Sequence, residues 1–223
     1  MGTLYLVRHG QASFGAEDYD QLSDLGRRQC EQLGRYWAER GLSFDAVITG
    51  TLKRHHQTWE GIATGAGWGL QPLTWPGLNE YDSAAVIHSV YDRPLERPTS
   101  PEGYRQHFRL LKDGLAQWMA GTVSPHGMPS YPDFVRGVTS ALDHVRHEHP
   151  DQRVLIVSSG GPIATAVGHV LGLSPERTID LNMRIRNSAV SELQFNPKRH
   201  SLLTYNTLPH LDRPDLASWI TYA

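Results

Sequence analysis

The sequence predicts an α/β protein with a largely parallel sheet, and three observations support this fold class. Short apolar runs alternate with longer amphipathic stretches along most of the 223 residues, as in chains of strands joined by helices. Residues 154–157 are apolar at every position, which is typical of a strand covered on both faces. Residues 158–162 then turn this strand into a helical pattern, and open α/β sheets bind their ligands at such strand ends.

The first third of the chain contains three predicted strands and two predicted helices. Residues 3–7 form a short buried strand, and a polar loop over residues 11–21 follows it. Ser23 is a suitable N-cap for a helix that runs to about residue 40 and ends at Gly41. The remaining elements here are strands over 44–48 and 70–74 and a helix over 52–65.

The middle of the chain, residues 84–132, differs in character. Six prolines interrupt it: Pro94, Pro98, Pro101, Pro125, Pro129 and Pro132. One helix is nevertheless indicated, with apolar residues three or four positions apart: Tyr104, Phe108, Leu111, Leu115 and Trp118. We interpret this region as a helical and loop insertion over the sheet end, within a single domain spanning residues 1–223.

The last part of the chain returns to alternating elements. An amphipathic helix over residues 131–145 ends before Pro150. The strand over 154–157 and a helix over 163–171 follow, and Pro162 suits the first helical turn. Two final strands are predicted over 189–195 and 202–205.

The composition excludes several classes of partner. The chain has 21 Lys and Arg and 23 Asp and Glu, a formal charge of -2, which favours neither nucleic acid nor an anionic membrane. No apolar run approaches the ~18 residues of a membrane span. A single cysteine, Cys30, permits no intramolecular disulfide and is expected to be a small core residue. We expect a cytoplasmic protein, and whether it forms a homodimer stays open.

Polar residues suited to phosphate chemistry lie at four predicted element ends. Arg8 and His9 end the first strand, Arg54 begins a helix, and Glu80 follows the third strand. Each residue alone is more often structural than functional. Together they suit a phosphate monoester, because arginine forks bind phosphate oxygens, an unprotonated imidazole is a nucleophile, and a carboxyl of raised pKa can donate a proton.

A fourth strand end adds a glycine-rich turn, Ser158-Ser159-Gly160-Gly161, before a helix. Backbone N–H groups at Gly160 and Gly161 are candidates for further contacts with an anion. The bland alternative is a tight turn without any ligand. The small substrate that these groups imply is a phosphorylated molecule.

Five segments resemble the histidine phosphatase superfamily, also called phosphoglycerate mutase-like, and they extend over nearly the whole chain. They are residues 6–11 (LVRHGQ), 22–29 (LSDLGRRQ), 51–58 (TLKRHHQT), 78–80 (LNE) and 187–190 (NSAV). The last of these is similar to a strand that borders the family's pocket. The resemblance implies a three-layer α/β/α sandwich that needs neither metal nor organic cofactor.

The resemblance also implies a role for each matching residue. His9 becomes a phosphohistidine nucleophile, and Glu80 becomes the proton donor. Arg8 and Arg54 become phosphate ligands, and we expect Ser159, Gly160 and Asn187 to complete the phosphate-binding residues. The function implied is metal-independent hydrolysis of phosphate monoesters, as in the phosphatase branch of the superfamily.

Ser159 is the main departure from the family pattern, which has histidine there, touching the transferring phosphoryl group. A hydroxyl donates one hydrogen bond but carries no positive charge. Losing one preorganised donor costs roughly 10²- to 10³-fold in rate, out of total enhancements that approach ~10²¹ for phosphate monoesters. We therefore expect a weakened or specialised phosphatase. Ser159→His should raise its rate if the pocket is otherwise intact.

Several other histidines are candidate substitutes for the missing imidazole. We expect these residues to face solvent or to be bonded locally: His55, His56, His88 and His126. The histidines near the end of the helix at 131–145 suit a helix C-terminus better than a metal site: His144, His147 and His149. Arg105 and Arg109, one helical turn apart, are expected on a solvated face rather than against an anionic substrate.

Two other functions remain as alternatives. One is a phosphate-binding sensor or scaffold that keeps Arg8 and Arg54 without turnover. The other is a phosphoglycerate mutase, which ranks last because residues 12–16 do not resemble the longer mutase signature. Substrate specificity is expected to lie in residues 84–132.

Overall fold

A computed structural model describes residues 1–13, 20–93 and 98–222. The predicted loop at 11–21 and the predicted insertion at 84–132 therefore lie partly outside the described residues, as does most of the 12–16 segment. The strands are β1 (Gly2–Arg8), β2 (Ala46–Thr49), β3 (Leu73–Thr74), β4 (Arg153–Ser158), β5 (Val190–Phe195) and β6 (His200–Thr207). Within the described residues they form one sheet of order β3-β2-β4-β1-β5-β6.

The sheet is parallel through its first four strands and antiparallel at one edge. β1 and β2 both pair parallel with β4, and β3 pairs parallel with β2. β5 runs antiparallel to β1, and β6 is antiparallel to β5. The short turn at residues 196–199, closed by the N–H of Asn196 on the carbonyl of Arg199, can join only antiparallel strands. The prediction of a largely parallel sheet is thus confirmed, with a mixed edge.

The helices of the described residues are α1 (Asp24–Ala38), α2 (Lys53–Ala66), α3 (Ser83–His88), α4 (Pro101–Met119), α5 (Tyr131–Glu148), α6 (Gly160–Leu171) and α7 (Pro175–Asn182). Ser23 caps α1 as predicted, because its side chain accepts from the N–H of Gly26. The sequence reading missed α3 and α7, which are only 6 and 8 residues long. None of the helices that the structure describes is long and apolar enough to cross a membrane.

The sheet separates two apolar cores, so the molecule has three layers. Leu4 and Leu6 of β1 face a core shared with helices α3 to α7. Tyr5 and Val7 face the opposite core, shared with α1 and α2, where Cys30 is fully buried. Alternate residues of a strand point to opposite faces, so an apolar run covered on both faces needs helices on both sides. The α/β/α sandwich implied by the sequence is confirmed.

The predicted aromatic stripe of α4 is only half buried. Leu111, Leu115 and Trp118 lie in the core, whereas Tyr104 is 39% exposed and Phe108 is 44% exposed. The spacing correctly indicated a helix, but the core ends before its first two turns. The predicted helix is therefore confirmed, and its first two turns leave Tyr104 and Phe108 on the surface.

Candidate active site

The parallel strands bring four predicted site residues toward one edge of the sheet. His9 follows β1, and Ser159 follows β4, the neighbouring strand. Arg54 lies in the first turn of α2, directly after β2, and Glu80 follows β3. Parallel strands end at the same edge, so sequence segments that lie far apart meet there.

Hydrogen bonds fix both the backbone and the ring of His9. Its N–H donates to the carbonyl of Ser158 at 2.9 Å, and its carbonyl accepts from the N–H of Ser188 at 3.2 Å. Ring atom Nδ1 lies 2.7 Å from the carbonyl oxygen of Gly10. A carbonyl can only accept, so Nδ1 carries the proton, and the neutral ring has its lone pair on Nε2.

The surroundings of His9 favour the neutral ring. The residue is 4% exposed, and burial lowers the pKa of His9 well below its ordinary value. The nearby charges of Arg8 and Arg54 and the ring of His55 lower this pKa further. An imidazole without its second proton is the form that attacks phosphorus.

Gly10 allows the strand to end in close contact with two helices. A Cβ at this position would lie 2.5 Å from the carbonyl oxygen of Gly26 and 2.8 Å from Sγ of Cys30, both in α1. The N–H of Gly10 donates to Oγ1 of Thr58 in α2 at 3.1 Å. The same hydroxyl donates to the carbonyl of Arg54 at 2.7 Å. The backbone after His9 is thereby tied to the helix that carries Arg54.

Two backbone carbonyls hold the side chain of Arg8. Its Nη1 donates to the carbonyl of Ile185 at 2.5 Å and to that of Tyr222 at 2.7 Å. Its positive charge lowers the pKa of both His9 and Glu80. This location suits the predicted contact with a phosphoryl group.

Arg54 forms an ion pair that the sequence reading missed. The residue is 7% exposed, and its Nη1 lies 2.8 Å from Oδ1 of Asp20. Asp20 also accepts from the N–H of Lys53 at 3.0 Å, where α2 begins without a side-chain cap from Leu52. The carboxylate satisfies a terminal N–H and complements the helix dipole. An anionic substrate would compete with Asp20 for Arg54.

Glu80 lies against the start of α6. The N–H of Gly161 donates toward both carboxylate oxygens, at 3.1 Å and 3.2 Å. This N–H, expected to contact the bound anion, is engaged by Glu80 instead. Burial raises the pKa of Glu80 and outweighs the N–H of Gly161 and the charges of Arg54 and Arg8, which lower it. A raised pKa favours the protonated form that a proton donor needs.

Two side-chain braces fix the segment that carries Glu80. The side chain of Asn79 accepts from the N–H of Thr51 at 2.7 Å and donates to its Oγ1 at 2.6 Å. The hydroxyl of Ser158 donates to the carbonyl of Leu78 at 2.7 Å. These bonds connect the acid segment to the ends of β2 and β4.

Ser159 meets an imidazole from another part of the chain. Its Oγ lies 2.7 Å from Nε2 of His55, and both residues are fully buried. Burial lowers the pKa of His55 well below its ordinary value, and the charges of Arg54 and His56 lower it further. The expectation that His55 faces solvent or bonds locally was wrong, because its partner lies 104 positions further along the chain.

Gly160 and Asn187 lie beside the predicted phosphate ligands. A Cβ built at Gly160 would be 3.9 Å from Nε of Arg8. Asn187 is fully buried in the turn before β5, where Nδ2 donates to the carbonyl of His9 at 3.4 Å and Oδ1 accepts from the hydroxyl of Thr221 at 2.9 Å. Asn187 thus supports the backbone of His9, and direct phosphate contact by Gly160 or Asn187 stays a prediction.

The other candidate residues lie on the surface. His88, His126, Arg105 and Arg109 are exposed, and Arg105 pairs with Glu102 at 3.4 Å. Throughout the part of the chain that the structure describes, no group of three or more His, Cys, Asp or Glu could hold a metal ion.

Three residues of the site were missed: Asp20, His55 and Asn79. His55 could have been found, because it shares one helix face with the buried residues Trp59 and Ile62, whereas His56 does not. Asp20 and Asn79 gave no comparable signal, since their contacts join segments 28 to 34 positions apart.

Known proteins that resemble this chain belong to the family that its sequence motifs resemble. The family model of the histidine phosphatase superfamily (branch 1) matches residues 4–208. A probable phosphoglycerate mutase of Cronobacter sakazakii is 29% identical and covers 96% of each chain. A 2,3-bisphosphoglycerate-dependent phosphoglycerate mutase of Nitratidesulfovibrio vulgaris is 26% identical, covering 82% of this chain and 83% of its own.

Solved structures share the fold at lower identity. A phosphoserine phosphatase of Entamoeba histolytica, in complex with 3-phosphoglyceric acid, has a TM-score of 0.67 and 19% identity over 95% of this chain and 100% of its own. A mycobacterial glucosyl-3-phosphoglycerate phosphatase has a TM-score of 0.64 and 21% identity, covering 92% of this chain and 98% of its own. At these identities the likeness establishes the fold alone.

Proposed function

The chain belongs to the histidine phosphatase superfamily (branch 1), and we propose from this premise that it hydrolyses phosphate monoesters through a phosphohistidine at His9. One observation carries the proposal. The ring of His9 is buried, bonded through Nδ1 to the carbonyl of Gly10, and flanked by the charges of Arg8 and Arg54. A neutral nucleophile beside two guanidinium groups suits attack on a phosphate dianion.

The first step transfers the phosphoryl group to the enzyme. The lone pair of His9 Nε2 forms the N–P bond while the P–O ester bond breaks, and its electron pair goes to the leaving oxygen. Glu80 gives that oxygen its proton, so an alcohol departs. Arg8 and Arg54 offset the charge on the phosphoryl oxygens that do not react.

The second step releases phosphate. Water attacks phosphorus, the N–P bond breaks, and its electron pair returns to Nε2 of His9. The carboxylate of Glu80 accepts a proton from the attacking water, which restores the proton donor. These steps use groups of the chain itself, so we expect full activity after treatment with a metal chelator.

The direct test is hydrolysis of p-nitrophenyl phosphate and a panel of phosphate monoesters. His9→Ala should abolish hydrolysis. His56→Ala is the control: it removes a half-buried histidine next to His55 and should leave the rate close to that of the wild type. Substrate labelled with ³²P should label the protein with a phosphate that is stable in alkali and labile in acid. Equal rates for wild type and His9→Ala would refute the proposal.

A phosphoglycerate mutase is the second candidate function, and the names of the 29% and 26% identical relatives favour it. The two activities use the same nucleophile but differ in the acceptor of the phosphoryl group, which is water for a phosphatase. ³¹P NMR of 3-phosphoglycerate with 2,3-bisphosphoglycerate separates them. Formation of 2-phosphoglycerate identifies a mutase, and inorganic phosphate identifies a phosphatase.

A binding protein without turnover remains the third candidate, as inferred from Ser159. It requires saturable binding of a phosphorylated molecule without any product. Isothermal titration calorimetry of the wild type, followed by ³¹P NMR of the same sample, tests this alternative directly.

A further inference from the structure

The hydroxyl of Ser159 is diverted from its ordinary task. Ser159 occupies the N-cap position of α6, where a serine oxygen normally accepts from a helix N–H. Here the side chain makes no capping bond, and its hydrogen-bond partner is Nε2 of His55 at 2.7 Å. The residue therefore serves a contact with α2 instead of its own helix.

The surroundings of His55 indicate which ring nitrogen carries the proton. Among the described residues, Nδ1 is buried and has no hydrogen-bond partner. A buried N–H without an acceptor is rarer than an acceptor without a donor, so the proton belongs on Nε2. His55 then donates to Oγ of Ser159, and the hydroxyl proton of Ser159 is available to another acceptor.

The chain is shaped to admit the ring of His55. A Cβ at Gly50 would lie only 2.2 Å from Nδ1 of His55 and 2.7 Å from Oδ1 of Asn79. Glycine directly after β2 thus leaves room for an imidazole that would otherwise collide with a side-chain carbon at position 50. The small residue at position 50, the imidazole at position 55 and the hydroxyl at position 159 thus fit together in one contact.

The residues that flank Ser159 along the chain contact the nucleophile and the proton donor, and the ring of His55 lies near that of His9. Ser158, the residue before Ser159, accepts from the N–H of His9, and Gly161, two residues after it, donates to Glu80. The rings of His55 and His9 have centroids 6.0 Å apart. Ser159 therefore belongs to a segment whose backbone contacts both the nucleophile and the proton donor.

We propose that His55 and Ser159 act as a pair in which His55 donates to Oγ of Ser159 and the serine hydroxyl donates to an oxygen of the transferring phosphoryl group. Ser159 is the residue that touches substrate, and His55 is a positioning residue. A hydroxyl that already accepts an N–H is a stronger donor. The pair supplies from α2 the imidazole expected at position 159, and this inference rests on the proposed function of His9.

A double-mutant cycle tests the pair, with kcat and KM measured separately on p-nitrophenyl phosphate. Ser159→Ala and His55→Leu should each lower kcat by about 10²-fold with little change in KM, because the lost bond belongs to the transition state. The double variant should lose about as much as either single variant. Inhibition by orthovanadate should weaken in parallel.

Conservative variants separate hydrogen bonding from packing. His55→Gln matches His55→Leu in size but can place an N–H near the former Nε2, so it should recover at least about tenfold of the lost kcat. Ser159→Thr keeps the hydroxyl and should recover similarly. His56→Leu is the matched control. Circular dichroism during thermal unfolding identifies a variant that fails to fold.

Moving the imidazole from position 55 to position 159 is a second test. Ser159→His alone should lower the rate, because a second imidazole would meet the ring of His55. Combining it with His55→Ala should restore the rate above that of Ser159→His. A higher rate for Ser159→His alone would overturn the pair, as would losses from Ser159→Ala and His55→Leu that multiply, or equal rates for His55→Gln and His55→Leu.

Failure of the pair is distinguishable from failure of the proposed function. If the wild type neither hydrolyses monoesters nor becomes phosphorylated, the proposed function fails, and binding of inorganic phosphate by calorimetry then tests the pair. Weaker binding in each single variant, with no further loss in the double variant, supports it. Affinity equal to that of the wild type in either single variant overturns it.

Discussion

Replacing Gly161 with alanine tests whether the start of α6 holds Glu80 in its reactive position. The added Cβ would lie 2.2 Å from Oε1 of Glu80 and 2.5 Å from Cε1 of Tyr81, where ordinary contacts begin at 3.4 Å. The carboxyl group must therefore move by more than about 1 Å, since the ring of Tyr81 obstructs the other direction. The hydrogen bond from the N–H of residue 161 to the carboxylate of Glu80 would be distorted as well.

The expected magnitude follows from this displacement. A misplacement of about 1 Å in a reacting group can cost roughly 10²-fold in rate, and a general acid contributes roughly 10²- to 10⁴-fold. We expect Gly161→Ala to lower kcat by about 10²-fold on glycerol phosphate, whose alkoxide must be protonated as it leaves. With p-nitrophenyl phosphate the leaving group needs little protonation, so the loss should stay below about tenfold.

The assay compares both substrates in three variants. Gly161→Ala should show the same dependence on leaving group as Glu80→Gln. Gly69→Ala is the matched control, because a Cβ at Gly69 meets no heavy atom within 4 Å. Wild-type rates for Gly161→Ala on glycerol phosphate would refute the reasoning, and so would equal losses on the two substrates.

Three further predictions concern Asp20, the pH profile and the α1–α2 contact. Asp20→Asn should tighten binding of inorganic phosphate up to about fivefold by calorimetry, because the carboxylate no longer competes for Arg54; weaker binding would contradict this. The kcat/KM should rise with pH as His9 loses its proton, with a pKa below the ordinary 6.5 of histidine. It should fall at higher pH as Glu80 loses its proton, with a pKa above the ordinary 4.5 of glutamate. If the fall at higher pH persists in Glu80→Gln, another residue is the acid. Gly34→Ala, whose Cβ would lie 2.1 Å from the carbonyl oxygen of Ile62, should destabilise the fold by about 1–3 kcal/mol in urea, and a smaller effect than that of Gly69→Ala would disprove the close contact.

Much of the fold could be predicted because its signals are local. The apolar run at 154–157 lies within β4, and Ser23 caps α1 where the sequence placed an N-cap. The short α3 and α7 escaped notice because two helical turns hold too few residues to show a period. The exposure of Phe108 could not be read from the sequence, because periodicity indicates a helix face but not where the core against it ends.

The candidate site divides in the same way. The positions of His9, Arg54 and Glu80 near strand ends followed from reading strands along the chain, because the ends of parallel strands share one edge. The antiparallel edge formed by β5 and β6, in contrast, depends on which strands pair, and pairing is settled between distant segments.

The sequence by itself determined the fold class, the placement of His9 at the end of the first strand and the absence of histidine at position 159. Only the tertiary structure decided that Asp20 holds Arg54, that Gly161 holds Glu80, and that His55 meets Ser159. Strand and helix periods are properties of neighbouring residues, so they can be read along the chain. Contacts between residues 34 or 104 positions apart exist only after the sheet and its helices have packed, and here those contacts place Asp20 against Arg54 and His55 against Ser159.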